Sequence, residues 1–449
     1  MTEVKKRKHF SSSQIIIYGF IGLILSGTFL LMLPFSTQQW GGASFLDALF
    51  TATSASCVTG LVVQDTATYW SMFGQFVIMM LIQIGGMGVV TVAVAITVIS
   101  GKKIGLFQRS TMQEAISAQH VGGIVRMTGF ILKTSALIEL CGMLSFSFVF
   151  VPEFGFFKGL WYSLFHSVSA FCNAGFDLMG VKAPFSSLTD YSANGIVNMT
   201  VMGLIVIGGI GFSTWADFNE HGINFKRYRM QSKVILTTTA LLIGLSALYF
   251  FIFEFSSPVW GDMPLAERIW SSFFRAVTPR TAGFNTTDLT LLSDAGQMIT
   301  IILMLIGGCP GSTAGGMKTT TLAVLLATAF SVFHKKDNPS LYARRIGDDV
   351  IKNAATIFMM YVSLFIIGAL IISLKEGLPL LSCMFESASA IGTVGLTLGI
   401  TTNLSSLSEL VLIALMFRGR VGGLTIIFAT VKDAPKIQSK LPLEKITVG

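Results

Sequence analysis

Four times along the chain a long apolar run is followed by a short one that stops at a glycine. The long runs, residues 14–33, 130–151, 234–255 and 355–374, are each close to twenty residues, the length an α-helix needs to cross a bilayer core. The short run of the first unit, residues 44–61, reads SFLDALFTATSASCVTGL. It supports about eleven helical residues, roughly 16 Å at 1.5 Å per residue, which spans half of a membrane. Matching runs are LWYSLFHSVSAFCNAGF at 160–176, IWSSFFRAVTPRTAGF at 269–284 and LSCMFESASAIGTVGL at 381–396. Each has an aromatic, then small residues, and ends in a tripeptide closed by glycine. A third apolar run closes each unit, at 75–99, 196–216, 297–333 (interrupted) and 409–431.

The closing tripeptides are Val58-Thr59-Gly60, Asn173-Ala174-Gly175, Thr281-Ala282-Gly283 and Thr393-Val394-Gly395, with glycines 115, 108 and 112 residues apart. Near-constant spacing marks an internally repeated architecture. The expected fold is an all-α polytopic membrane protein: four fused span–pore-half-helix–span repeats around a central pseudo-fourfold ion pore, with eight full crossings. The repeats run 14–129, 130–233, 234–353 and 354–431, between a basic arm at 1–13 and a tail at 432–449. Non-helical backbone at mid-membrane depth is tolerated only where it is buried in protein or lines a wet cavity. Four such loops about one axis would build that cavity.

Composition agrees with a membrane protein. Of 449 residues, 52% are hydrophobic and 12% charged, against about 25% charged in soluble domains. The net charge of +8 is sorted by topology. Twenty-one of the 31 Lys and Arg fall on one side of the eight-crossing arrangement, beginning with Lys5, Lys6, Arg7 and Lys8 and ending with Lys432, Lys436, Lys440 and Lys445. The opposite loops carry acids: Asp65, Glu153, Asp177, Asp190, Asp262, Asp288 and Asp294. The positive-inside rule then puts both termini in the cytoplasm of a multi-pass cell-membrane protein, and nucleic-acid binding is not expected. The first apolar run is too long for a signal peptide and no small-x-small cleavage site follows it. Cys57, Cys141, Cys172, Cys309 and Cys383 form no CxxC pair, which argues against disulfide and zinc readings.

A bare monovalent cation in a membrane needs oxygens in place of its hydration shell, and rings of backbone carbonyls supply them without a fixed negative charge. Turning carbonyls toward an axis calls for a residue with φ opposed by a Cβ, hence glycine. The half-helices would aim their partially negative C-terminal ends at the same place. The twelve tripeptide residues are therefore the candidate selectivity filter, binding a monovalent cation through main-chain oxygens. The third copy is one residue shorter between Phe274 and Gly283 than the second is between Phe165 and Gly175. In the third closing run, GGCPGSTAGGMKTT at 307–320 makes a continuous helix costly, by about 1 kcal/mol per Gly and 3 for Pro. It misses the phosphate-loop spacing by one residue and no strand precedes it. Gly307, Gly308, Gly311, Gly315, Gly316 and Lys318 are the candidate gate. Arg420 lies mid-span, where a cation costs about 2.5–3.5 kcal/mol on insertion scales. Glu139 and Glu254 suit structural roles, with Glu139 expected to bond serine or backbone groups of a half-helix. No nucleophile–base or paired-carboxylate constellation supports an enzyme.

These residues resemble the Trk/Ktr/HKT superfamily of potassium transporters, and within it the membrane subunit of bacterial Ktr potassium uptake systems. The likeness runs over residues 14–431 and rests on FHSVSAFCNAGF at 165–176, AVTPRTAGFN at 276–285 and the Gly-rich break at 307–316. The resemblance implies a potassium-selective pore, since all four filter glycines are present. It also implies a gating loop at 307–320 facing Arg420 of the last span, a homodimer, and a cytoplasmic RCK/KTN-type regulatory ring that binds ATP or ADP. No bound cofactor is expected; potassium is the substrate, and sodium stays open as an activator. Two other readings stay open at this level: a K⁺ symporter coupled to Na⁺ or H⁺ by alternating access, and a non-conducting assembly subunit.

Overall fold

The computed structural model describes residues 11–99, 105–115, 123–261 and 263–430, together with 442 and 444. Of the charges that assign sidedness, Lys5, Lys6, Arg7, Lys8, Lys102, Lys103, Asp262, Lys432, Lys436, Lys440 and Lys445 lie outside the described residues, as do most of the arm and the tail.

Helix α1 (Ser12–Leu31) starts at a capping box in which Ser11 and Gln14 exchange side-chain hydrogen bonds with each other's backbone,. The short α2 (Phe45–Cys57) follows, then α3 (Met72–Met87) and α4 (Val89–Ile99), with α5 (Leu106–Ala115) on the connection. The second unit is α6 (Ile124–Phe154), α7 (Phe156–Phe171), α8 (Gly195–Gly209) and α9 (Phe212–His221). The third is α10 (Met230–Tyr249), extended by a π turn at Phe250–Glu254, then α11 (Leu265–Val277), α12 (Asp294–Leu305) and α13 (Thr319–Phe333). A two-residue hairpin, β1 (Ser340–Leu341) with β2 (Arg344–Arg345), leads to α14 (Asp348–Glu376), α15 (Leu380–Gly392), α16 (Ser406–Val421) and α17 (Gly423–Thr430). Among the described residues four helices are long and apolar enough to cross a membrane: α1, α6, α10 with its π turn, and α14. The number rises to six when each bent pair, α3–α4 and α8–α9, is taken as one span.

The closing runs correct the sequence reading. Those at 75–99, 196–216 and 409–431 are not single straight helices. The α3–α4 pair bends by 93° and the α8–α9 pair by 94°. The breaks fall at Gly88, Gly211 and Gly422, whose φ angles of 86°, 89° and 88° are open to glycine and strained for other residues. Interruption therefore occurs in every unit, and the third unit differs only in the length of its insert. The helices opening units two to four start at Ile124, Met230 and Asp348, ahead of the boundaries at 130, 234 and 354. The first turns of α10 and α14 carry Gln231, Ser232 and Lys233, and Asp348 and Asp349, which an apolar pattern does not register; that of α6 is broken by Arg126.

Packing explains the matched aromatic of each short run. Phe50, Phe165, Phe274 and Phe385 are all at most 1% exposed, each anchoring its short helix against the long ones. Large apolar side chains such as Phe29, Phe148, Phe157 and Leu374 face outward, as a lipid-exposed belt requires. Two acids hold the closing helices. Glu254 accepts from Ser293 N and Oγ at the start of α12, and Glu376 accepts from Ser405 N and the Ser408 hydroxyl at the start of α16. Glu139 departs from expectation: its carboxylate accepts from Gln83 Nε2 of α3 at 2.9 Å. Only its backbone carbonyl meets the half-helix, accepting from Ser167 Oγ at 2.6 Å.

Candidate ion pathway

All four short helices finish in the same way. The first tripeptide residue turns left-handed, with φ of 58° at Val58, 60° at Asn173, 63° at Thr281 and 51° at Thr393. Two residues later the glycine does so again, with φ of 92°, 70°, 80° and 95° at Gly60, Gly175, Gly283 and Gly395. The helices themselves end at Val58, Cys172, Thr278 and Thr393, none of them glycine, and the left-handed turns at Val58, Asn173, Thr281 and Thr393 lie in a region that L side chains rarely occupy. The glycines are therefore not the helix caps.

A hydroxyl residue in the last turn fixes each loop. Ser54 O accepts from Thr59 N and Ser54 Oγ from Gly60 N at 3.1 Å. In the fourth copy Ser389 does the same for Val394 N and Gly395 N at 3.0 Å. In the second, Ser169 O accepts from Ala174 N while Ser169 Oγ donates to Phe176 O. In the third, Thr278 O accepts from Ala282 N and Thr278 Oγ1 donates to Phe284 O. The hydroxyl stands six residues before the glycine in three copies and five in the third. That offset accommodates the shorter third run. Sequence reading saw only small residues here and did not single out these four.

The four tripeptides come together in a closed ring. A Cβ added to Gly60 would overlap Ala174 O, one on Gly175 would meet Ala282 O at 2.6 Å, one on Gly283 would overlap Val394 O, and one on Gly395 would overlap Thr59 O. Each glycine thus abuts the carbonyl of the residue before the next unit's glycine, and the fourth closes on the first. All four glycines line one cavity, which also holds Asp65, Asp177, Ser187 and Asn285. The hydroxyls of Thr59, Thr281 and Thr393, within the tripeptides, are buried without a protein hydrogen-bond partner. A buried oxygen left open in this way is costly unless something else engages it.

The segment at 307–320 lies on the opposite side of the tripeptides from that cavity. Thr313 N donates to Gly208 O at 3.3 Å, Cys309 N to Gly209 O at 3.0 Å and Gly316 N to Gly419 O at 3.1 Å. Phe212 N donates to Gly311 O at 2.7 Å. The Thr313 hydroxyl reaches Phe171 O and Asn173 Oδ1, both at 3.1 Å. Gly315 and Gly316 press on the end of α15, where added Cβ atoms would run into Thr393 Oγ1 and Gly392 O. Gly307 packs on Gly315 O and Met317 O, and Gly308 accepts from Thr319 N. Lys318 turns back into the loop, donating to Ala314 O at 2.8 Å and Gly315 O at 3.2 Å. Arg420 donates to Thr313 O and, with its other terminal nitrogen, to Gly85 O and to Gly86 O at 3.0 Å. It therefore joins the fourth unit, the loop and the first unit. Gly311, Gly316, Lys318 and Arg420 line a second cavity with Glu114. Arg418, on the same helix, is exposed.

Further glycines, outside the candidate filter and gate residues, bring the closing helices against the ends of α2, α7 and α15. Added Cβ atoms on Gly85, Gly208 and Gly419 would overlap Ser56 O, Phe171 O and Ile391 O, in each case two residues before the left-handed turn. His166 proves structural: Nδ1 donates to Tyr162 O at 2.7 Å and Nε2 accepts from Leu178 N at 3.3 Å.

Against this geometry stand the likenesses to known proteins. The family profile TrkH, described as cation transport protein, matches residues 2–440. The chain belongs to the TrkH family. Among similar TrkH-family proteins is the potassium/sodium uptake protein NtpJ of Enterococcus hirae, 41% identical over the whole of both chains. Ktr system potassium uptake protein B of Bacillus subtilis is 39% identical over 96% of this chain and 95% of that one. Ktr system potassium uptake protein D of the same organism is 30% identical, covering 98% and 97%. The crystal structure of the potassium transporter TrkH from Vibrio parahaemolyticus superposes with a TM-score of 0.72, covering 96% of this chain and 87% of that one at 19% identity. That last likeness bears on the fold alone.

Proposed function

We propose that this chain is the ion-translocating membrane subunit of a potassium uptake system. The observation that carries the reading is the closed ring in which each filter glycine abuts a carbonyl of the next unit. Four equivalent main-chain segments converging on one point form a ring of oxygens suited to a dehydrated monovalent cation. Val58, Thr59, Gly60, Asn173, Ala174, Gly175, Thr281, Ala282, Gly283, Thr393, Val394 and Gly395 form the filter. The names of the similar proteins, potassium uptake in two Ktr subunits and potassium/sodium uptake in NtpJ, support potassium as the substrate and keep sodium as an activator or second ion. The loop at 307–320, with Lys318 and Arg420, obstructs the path between the two cavities and acts as the gate.

On this reading the loop side faces the cytoplasm, with both termini. The Ktr-system naming of two relatives supports a partner subunit, taken here as a cytoplasmic RCK/KTN ring that binds ATP or ADP and drives the loop. A homodimer of the membrane subunit completes the assembly. The test is ion flux into proteoliposomes. Wild type is expected to pass K⁺ or Rb⁺ in preference to Na⁺, and Gly60→Ser to raise Na⁺ permeation relative to K⁺. Equal selectivity in the two proteins would overturn the filter assignment.

A further inference from the structure

The breaks in the closing helices leave carbonyls that have no amide four residues on. Gly85, Gly208 and Gly419 occupy the same place in units one, two and four, each three residues before the glycine that breaks its helix. Their oxygens face the loop side of the filter. Gly208 O takes Thr313 N and Gly419 O takes Gly316 N, both from the loop. Gly85 O takes the Arg420 guanidinium, which also holds Gly86 O. Each carbonyl has two lone pairs. Gly85 O keeps Gly88 N on the other, and Gly419 O keeps the Tyr361 hydroxyl. Withdrawal of the loop and of Arg420 would thus open one lone pair on each of these matched oxygens, in a buried place where an unmet acceptor is costly.

From this placement we infer a second monovalent-cation site beneath the filter, formed by the carbonyls of Gly85, Gly208 and Gly419. Loop amides and the Arg420 guanidinium fill it in the arrangement seen here. The guanidinium is the tethered stand-in for the ion: a cation already rests on one carbonyl of this set, Gly85 O, and on the adjacent Gly86 O. Arg420 and the permeating cation therefore compete for one set of oxygens. Opening exchanges a fixed charge for a mobile one and leaves no carbonyl bare. This inference rests on the proposed reading of the loop as a gate.

The test is Rb⁺ anomalous diffraction on three purified proteins: wild type, a deletion of residues 311–316, and Arg420→Gln, which keeps the loop but removes the charge. Wild type is expected to show Rb⁺ at the filter alone. The deletion is expected to add a second peak within coordination reach of Gly85 O, Gly208 O and Gly419 O. In Arg420→Gln a weaker peak is expected beside Gly85 O and Gly86 O. Filter density in all three proteins, with only water beneath it in both variants, overturns the second site and leaves the pore reading intact. A second peak in wild type, with Arg420 still on Gly85 O, overturns the competition. The filter peak decides the pore reading separately: its absence from all three proteins would sink that reading, whatever lies beneath.

Discussion

At the scale of single residues, the proposed filter is held by four hydroxyls and shaped by four glycines, and the two sets fail differently. A Ser54→Ala or Ser389→Ala change removes the oxygen that accepts from Gly60 N or Gly395 N. A buried amide left unmet costs about 1–3 kcal/mol, borne by a loop already strained at Val58 or Thr393. Both variants are expected to assemble, and to lose K⁺ over Na⁺ preference by several-fold in paired flux assays. Thr278→Ser keeps the hydroxyl that reaches Phe284 O and is expected to behave as wild type, whereas Thr278→Val is expected to match the alanine variants. Glycine substitution acts by overlap instead. Gly395→Ala would push its Cβ into Thr59 O across the ring, so K⁺ flux is expected to fall at least tenfold with the chain still folded. Retained flux in that variant would show that the ring does not carry the ion.

At the scale of elements, the loop at 307–320 and the broken helices form one device. Its amides sit on Gly208 O and Gly419 O because helix breaks freed those oxygens, and buried carbonyls are rarely left without partners. Deleting residues 311–316 is expected to raise flux and weaken dependence on the partner subunit, and flux equal to wild type would remove the gate. Arg420→Gln is expected to act in the same direction but less strongly, since the loop keeps its bonds to α8 and α16. What was readable in the sequence follows from this division of labour. The long apolar helices and the four glycines were legible because lipid burial and positive φ select residue types directly. The breaks at Gly88, Gly211 and Gly422 were not, because apolar residues flank each of them (Met87 and Val89, Ile210 and Phe212, Val421 and Leu424) and an apolar pattern does not reveal direction. The role of Ser54, Ser169, Thr278 and Ser389 was hidden as well. A serine six residues before a glycine is unremarkable until the helix end folds back onto it.

At the scale of the whole molecule, the ring closes from the fourth unit onto the first, so no single unit makes a filter. This explains why one chain carries all four copies, and why their differences are tolerated where the backbone path is kept. Asn173, for example, stands where the other copies have Val58, Thr281 and Thr393, with an amide that donates to Arg280 O and accepts from Thr313, coupling the second unit to the third. On the proposed reading the ring itself offers only neutral carbonyls: Glu139 is paired to Gln83, and Asp65, Asp177 and Glu114 line the cavities on either side of the tripeptides and are not part of them. Uptake should then follow voltage alone. An interior-negative potential of 100 mV is worth about 2.3 kcal/mol per charge, equivalent to roughly 50-fold accumulation of a monovalent cation. Proteoliposomes with an imposed potential and no sodium on either side are expected to accumulate Rb⁺ toward that limit, and to stop when the potential is collapsed. Accumulation that persists without a potential but requires an inward sodium gradient would replace the pore with a coupled carrier. The carbonyl ring would then serve as a binding site inside an alternating-access cycle.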